Sequence, residues 1–269
     1  MRDSSSGARV RRYIQGGMST VRGYMHPVDA AAFAAILLHQ RAKGLTGSVA
    51  EIGVYCGRSF FLMTQALAPG EAAFAADLFA EGPQPSGETR QLQEFRRNAA
   101  RFDIDLHSNA VVAGPSERLK APDIMGAVGP VRFFSIDGGH MLLEHVRHDA
   151  ALASAVLTEH GVLAFDDFCN PEWPETSLGV FDFLRDRQGE FAPFAITKAK
   201  LYVCRPDWHP QYLTIIKSSD WMRGYPQREI SLLGAPLIWF HHRIADRVMF
   251  QALSRARLGS LATAIQARR

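Results

Sequence analysis

Hydrophobic and polar positions along the chain follow two alternating periods. Short apolar runs are typical of buried strands, and apolar residues at helical spacing predict helices between them. The predicted strands cover 48–54, 72–76, 110–113, 131–136 and 161–165. The predicted helices cover 28–43, 59–67, 89–102, 141–158 and 176–188. Two last runs, 194–197 and 201–204, predict a closing antiparallel pair with a turn at 198–200.

This alternation indicates an α/β fold with a doubly wound, mostly parallel sheet of seven strands, of which the last is antiparallel. We expect three parts along the chain. Residues 1–22 form a basic, flexible lead, and residues 23–205 form the sheet domain. Residues 206–269 form a C-terminal extension that serves packing, oligomerisation or acceptor binding. We therefore expect a single large domain with additions at both ends, and a homo-oligomer.

Composition excludes several classes of protein. The chain has 269 residues, 47% hydrophobic and 21% charged, which is ordinary for a globular protein and excludes disorder. No apolar run approaches the roughly 20 residues of a membrane span. The three cysteines are far apart, so they form neither a disulfide framework nor a zinc site. We expect a reduced, soluble, cytoplasmic protein.

Charge is concentrated at the two ends of the chain. Residues 1–22 carry five arginines and one aspartate, and residues 241–269 carry six arginines and one aspartate. Because the net charge is only +3, the centre is mildly acidic. The basic ends are either solvated or dock to an acidic partner or membrane surface. No nucleic-acid motif accompanies the charge, so we expect no nucleic-acid partner.

The first predicted strand runs into a glycine-rich turn, Glu51-Ile-Gly53-Val-Tyr55-Cys-Gly57-Arg-Ser59. In parallel sheets, ligands bind beyond the carboxyl ends of the strands, and glycine allows close approach of the backbone. The spacing is not the dinucleotide fingerprint G-x-G-x-x-G. An acid before the turn disfavours a pyrophosphate and favours a ligand with a cationic amino-acid end.

Asp77 ends the second predicted strand, about 20 residues beyond the glycine turn. A carboxylate at this place can accept both hydroxyls of a ribose. The turn and the acid together indicate nucleoside binding. The alternative is a purely structural turn, because many tight connections from strand to helix need glycine.

The stretch 50–67 resembles motif I of the class I S-adenosylmethionine methyltransferases. It is most similar to the catechol O-methyltransferase branch, whose turn also reads E-x-G-x-Y-C-G-x-S, and to bacterial relatives that methylate sugar hydroxyls in antibiotic biosynthesis. The looser resemblance runs from about residue 28 to residue 205 and implies the Rossmann-like methyltransferase fold. It also implies cofactor contacts from Glu51, Gly53, Tyr55, Gly57 and Ser59 around the methionine part, from Asp77 at the ribose, and from Leu78 and Ser116 at the adenine.

Acids also end the fourth and fifth predicted strands. Asp137 follows the fourth, and Asp166 and Asp167 follow the fifth, so these carboxylates are expected close together. Clustered carboxylates repel each other unless protons or a cation relieve them, and oxygen ligands suit Mg²⁺ or Mn²⁺. Resemblance to divalent-metal methyltransferases implies the same ligands, with Asp137 also expected to contact the cofactor. Alternatively, the Asp166-Asp167 pair caps a turn and Asp137 binds only the cofactor's amino group.

His140 lies three residues beyond Asp137. In catechol-type enzymes a lysine base has this offset, and a histidine titrates near neutrality. His140 is therefore the candidate base for a hydroxyl of the acceptor. Alternatively, it caps the helix that begins near Met141 or binds a carboxylate of the cofactor.

The sequence thus predicts a transferase, an S-adenosylmethionine-dependent O-methyltransferase assisted by Mg²⁺. Its acceptor would be a small hydroxylated molecule, such as a natural-product sugar or a phenol. Two alternatives remain open. One is metal-independent methyl transfer to nitrogen or carbon, and the other is a cofactor-binding scaffold without catalysis.

Overall fold

The computed structural model describes residues 4–81, 88–106, 109–139 and 142–241. The strands are β1 (Ser48–Ile52), β2 (Ala73–Asp77), β3 (Ala110–Ala113), β4 (Val131–Ile136), β5 (Leu157–Phe165), β6 (Ala192–Ile196), β7 (Leu201–Cys204), β8 (Gln227–Leu232) and β9 (Ala235–Phe240). The helices are α1 (Ser4–Arg12), α2 (Pro27–Ala42), α3 (Arg58–Thr64), α4 (Arg90–Arg101), α5 (Ala121–Val128), α6 (Leu143–Ala155), α7 (Pro174–Asp186) and α8 (His209–Ser218). In these ranges no helix is both long and apolar enough to cross a bilayer.

The described strands form one sheet in the order β3-β2-β1-β4-β5-β7-β6-β9-β8. Strands β1 to β5 pair in parallel, and β7 enters antiparallel between β5 and β6. The predicted fold class is therefore confirmed, including the antiparallel closing pair. The extension lengthens this seven-stranded arrangement, because β9 pairs in parallel with β6, and β8 pairs with β9.

Each central strand faces two apolar layers, because successive side chains point to opposite sides of a sheet. On β4, Phe133 packs into the layer that contains α2 and α3, and Phe134 packs into the opposite layer with α6 and α7. On β5, Ala164 and Phe165 divide in the same way. This alternation decides which layer each polar residue at the strand ends enters.

The N-terminal lead departs from the prediction of flexibility. Residues 4–20 are helical, and Val10 and Tyr13 are buried in the layer that contains α2. The hydroxyl of Tyr13 donates to the carbonyl of Arg58 at 2.7 Å. The arginine-rich sequence conceals two apolar residues on one helical face, and burying them holds this part of the lead against α3.

Two helices and the extension also differ from the pattern. Helix α5 was not expected, because it has only two turns. The helix predicted over 141–158 ends at Ala155, since the apolar residues that follow belong to β5. Helix α8 of the extension packs against α2, where Nε2 of Gln40 donates to the hydroxyl of Tyr212 at 2.9 Å. The helical spacing over 244–265 lies outside the described residues.

Candidate cofactor and acceptor site

The glycine turn after β1 has the conformation that only glycine adopts easily. Gly53 has φ +85°, and Gly57 has φ +94° at the start of α3. A Cβ on Gly53 would lie 2.0 Å from the carbonyl oxygen of Asp137. The backbone at the end of β1 therefore touches the backbone at the end of β4, and a side chain would separate them.

Asp77 ties the end of β2 to this turn. One carboxylate oxygen accepts from the backbone N–H of Tyr55 at 2.7 Å. The other accepts from the N–H of Phe79 at 2.7 Å and from the side-chain amide of Gln91 at 3.0 Å. The carboxylate is only partly buried, and the oxygen that accepts from Tyr55 keeps a lone pair for a ligand.

A pocket of about 290 Å³ lies beyond the carboxyl ends of β1, β2, β3 and β4. Leu78 lines the pocket and is 64% exposed, so it offers an apolar surface to a ligand. Five of the predicted cofactor residues line it: Gly53, Asp77, Leu78, Ser116 and Asp137. The prediction that these strand ends share one cavity is thus consistent with the structure.

The other four predicted cofactor residues lie behind or beside the pocket. Tyr55 and Gly57 form the turn itself, and Ser59 is buried in the first turn of α3. Glu51 is fully buried, and neither carboxylate oxygen makes a close hydrogen bond among the described residues, although the hydroxyls of Ser59 and Ser135 lie near it. Burial raises the pKa of Glu51 to about 7, although Lys200 and the two serine hydroxyls oppose the shift. A buried carboxylate without a close hydrogen bond is costly, so Glu51 is suited to receive a cationic ligand group.

The far wall of the pocket is held by α6. The hydroxyl of Ser116 donates to the carboxylate of Asp149 at 3.1 Å. His145 also lines the pocket, and its Nδ1 lies 2.8 Å from a carboxylate oxygen of Glu117. Burial raises the pKa of Asp149, which the hydroxyl of Ser116 partly offsets. The side of the pocket where the adenine is expected is therefore lined by linked polar groups.

Arg22 of the lead closes the outer side of the glycine turn. Its guanidinium lies over the ring of Tyr55, 4.7 Å from the ring centroid. It also lies 2.8 Å from a carboxylate oxygen of Glu81 and 3.1 Å from one of Glu94. The N-terminal segment thus contributes directly to the support of the predicted cofactor turn.

The acids at the ends of β4 and β5 enter the layer that contains α2. Asp137 and Asp166 share a hydrogen bond there. The ammonium Nζ of Lys200 lies 2.7 Å from Oδ2 of Asp166, and the lysine side chain is 3% exposed. Burial and the neighbouring Asp166 raise the pKa of Asp137 well above its usual range, whereas Lys200 lowers the pKa of Asp166 against the effect of burial.

Asp167 does not join this pair in the same way. It has φ +53°, and its Oδ1 accepts from the side-chain amide of Asn170 at 2.8 Å. Across the parts of the chain that the structure describes, no group of three or more His, Cys, Asp or Glu side chains is arranged to hold a metal ion. The predicted magnesium site at Asp137, Asp166 and Asp167 is therefore not confirmed, and His140 lies outside the described residues.

Four residues of the site were missed by the sequence analysis. Asp29 is a single acid in the alanine-rich α2, and Lys200 lies in the turn before β7. Asp149 and His145 lie one helical turn apart on α6. Their signals were an acid within an apolar helix, a lysine at a strand start, and polar residues on one helical face. None of these signals has a recognisable spacing.

The order of the first seven strands and the ligand cavity beyond their carboxyl ends define a methyltransferase-type Rossmann-like fold. A family model described as "Methyltransferase domain" matches residues 50–168. These residues include the glycine turn, Asp77, the pocket and the acids after β4 and β5. This part of the chain is therefore similar to a methyltransferase domain.

Solved structures share this fold at low sequence identity. The O-methyltransferase NovP matches with a TM-score of 0.54 and 14% identity, over 65% of this chain and 80% of that chain. CalS11, a TDP-rhamnose 3'-O-methyltransferase of calicheamicin biosynthesis, matches with a TM-score of 0.50 and 15% identity, over 76% of this chain and 94% of that chain. A putative O-methyltransferase from Klebsiella pneumoniae matches with a TM-score of 0.50 and 15% identity, over 76% of this chain and 91% of that chain. No curated protein matches the sequence.

Proposed function

We propose that this enzyme transfers the methyl group of S-adenosylmethionine to a hydroxyl of a small molecule. The observation that carries the proposal is the position of the carboxylates of Asp137 and Asp166. They lie at the ends of β4 and β5, beside the end of β1 where the cofactor's methionine part is expected. An acceptor hydroxyl held by these acids would face the methyl group. We also propose that the acceptor is a small molecule in the cytoplasm. The methyltransferase domain of the proposal is residues 23–205, between the lead (1–22) and the extension (206–269).

Each predicted residue has a physical task in this scheme. The bound cofactor supplies an electrophilic methyl group. Asp77 accepts the ribose hydroxyls, Leu78 and Ser116 border the adenine, and Glu51 lies where the cationic amino group is expected. His140 is the proposed base for the acceptor hydroxyl, since a base of near-neutral pKa must remove its proton. Much of the rate then comes from holding oxygen and methyl carbon in line.

The names of two structural neighbours suggest the kind of acceptor. CalS11 is described as acting on TDP-rhamnose, and NovP as an O-methyltransferase. At 14–15% identity these likenesses show the fold only. A sugar or phenol hydroxyl of a natural product is therefore our proposal for the acceptor class.

A resident Mg²⁺ or Mn²⁺ fits the described residues poorly. The ammonium of Lys200 already contacts Asp166, and Asp167 is paired with Asn170. We therefore include no metal-dependent step in the proposal.

The direct test is calorimetry followed by transfer. The full chain should bind S-adenosylhomocysteine, and it should then pass a labelled methyl group from S-adenosylmethionine to members of a panel of nucleotide sugars, phenols and amines. Product on a hydroxyl supports the proposal. Product only on an amine or carbon would instead indicate an N- or C-methyltransferase. Tight binding without turnover on any acceptor would favour a cofactor-binding scaffold.

Replacing Asp77 by asparagine should weaken binding of S-adenosylhomocysteine about 10- to 100-fold, because a hydrogen bond to a charged group contributes about 1.5–3 kcal/mol. The affinity for 5'-methylthioadenosine, which keeps the ribose but lacks the amino acid, should fall equally. Calorimetric titration of both ligands measures this, with the exposed Asp207→Asn as control. Unchanged affinity for methylthioadenosine would remove Asp77 from the ribose site.

A further inference from the structure

Lys200 is brought to the acids by the register of the antiparallel pair. In the pairing of β5 with β7, Phe165 lies opposite Leu201. The next residues outward are Asp166 and Lys200, whose side chains enter the same layer and form the 2.7 Å ion pair. Lys200, the residue directly before β7, is therefore placed by the pairing of β5 with β7.

The turn that carries Lys200 is fixed on three sides. The N–H of Thr197 donates to the carbonyl of Lys200 at 2.9 Å, and the hydroxyl of Thr197 donates to the carboxylate of Asp29 on α2. The N–H of Phe168 donates to the carbonyl of Ala199 at 3.0 Å. The ammonium lies 5.7 Å from the ring centroid of Phe33. Its position is thus determined by β5, α2 and the turn together.

Lys200 is the cation shared by four buried or half-buried acids. Its charge acts on Asp29, Glu51, Asp137 and Asp166. A divalent ion at Asp166 would have to lie against this ammonium with almost no water between them. Like charges in such a site repel strongly, so the ammonium disfavours the ion at the place where the acids would otherwise attract it.

We infer that Lys200 is a positioning residue that supplies, from within the chain, the positive charge that the acids after β4 and β5 require. It holds Asp166 and, through it, Asp137 toward the acceptor side. On the proposed function, methyl transfer then proceeds without a divalent cation. The negative charge of Asp137 and Asp166 is thus balanced by the ammonium of Lys200.

The experiment compares binding of Mg²⁺ and Mn²⁺ by calorimetry to the wild type and to Lys200→Met. The wild type should show no saturable binding that depends on Asp166. Lys200→Met leaves the acids uncompensated and should gain saturable binding that depends on Asp166, at least about tenfold tighter than any ion binding by the wild type, which corresponds to about 1.4 kcal/mol. The exposed Lys198→Met, from the same turn, should behave as the wild type.

A structural role alone would not create an ion site, so new ion binding separates the two explanations. Saturable Mg²⁺ binding to the wild type that is lost in Asp166→Asn would overturn the inference, and this result needs no variant of Lys200. If Lys200→Met does not fold, Lys200→Arg, which keeps the charge, should retain wild-type behaviour toward both ions. Absence of S-adenosylhomocysteine binding would refute the proposed function but leave the ion titration interpretable. Turnover that stops in EDTA and returns with Mg²⁺ would also overturn the inference.

Discussion

Glu51→Gln should weaken binding of S-adenosylhomocysteine on the order of a hundredfold. The wild-type carboxylate is fully buried and makes no ion pair or close hydrogen bond among the described residues, so it is available to the cofactor's ammonium group. Removing one member of a buried, hydrogen-bonded charge pair costs about 2–5 kcal/mol. Glutamine keeps the shape of the side chain but cannot offer the negative charge.

The choice of ligand makes this result specific. 5'-Methylthioadenosine has no amino-acid part, so its affinity should be unchanged in Glu51→Gln, in contrast to the loss expected for Asp77→Asn. Calorimetry with both ligands measures the difference, and the exposed Glu172→Gln is the matched control. An equal loss for both ligands would show that Glu51 only supports the turn.

The same substitution should stabilise the ligand-free protein above neutral pH. Burial raises the pKa of Glu51 to about 7, so the folded state holds the proton more tightly than the unfolded state does. The stability that this proton contributes is complete below the unfolded pKa of about 4.3 and is lost as the pH rises to about 7. Glutamine does not ionise, so the variant avoids a loss on the order of 3 kcal/mol.

Thermal unfolding of both proteins across this pH range measures the effect. The melting temperatures of wild type and Glu51→Gln should diverge as the pH rises from about 4.3 to about 7 and remain separated above it. Asp29, whose pKa burial also raises to about 7, is present in both proteins and should contribute equally to each. A constant difference at every pH would show that Glu51 does not ionise in the buried site.

Gly53→Ala should be the most disruptive single-methyl change in the site. Its Cβ would meet the carbonyl oxygen of Asp137 at 2.0 Å, where only movement of backbone can relieve the contact. Gly70 provides a matched control, because it has φ +84° against +85° for Gly53, but no atom lies within 4 Å of its added Cβ. The left-handed conformation alone costs about 1–2 kcal/mol, and overpacking adds about 1–3 kcal/mol.

Denaturant unfolding of the two variants separates these contributions. Gly70→Ala should lose only the stability that the left-handed conformation costs, and it should bind S-adenosylhomocysteine normally. Gly53→Ala should lose stability from both the left-handed conformation and the overpacking. It should also bind the ligand weakly, because the ends of β1 and β4 are forced apart beneath the pocket. Equal destabilisation of the two variants would mean that the approach of the two strands is not tight.

The strand ends were the most predictable part of the site. Apolar runs ending in Gly53, Asp77 and Asp137 predicted buried parallel strands, and parallel strands end at one edge of the sheet. The structure places these three residues around one cavity. This inference needed only the order of elements along the chain, because the direction of each strand in the first half of the sheet follows from the connecting helix.

The environment of the acids was less predictable. The same reasoning grouped Asp137, Asp166 and Asp167, but adjacent residues at a strand end do not share a face. The cation near them comes from Lys200, about 30 residues further along the chain, which reaches Asp166 only through the antiparallel register. No local spacing records such a pairing.

The sequence by itself determined the alternation of strands and helices, the glycine turn, and the acids that end the strands, since these depend on local periodicity and on conformations that few residues adopt. The tertiary structure decided which of these groups meet. Glu51 became a buried carboxylate, Lys200 became the internal cation, and the arginine-rich lead became a packed helix. Burial and register are properties of several distant segments together, and they set the charge and pKa of a side chain more strongly than its neighbours in the chain do.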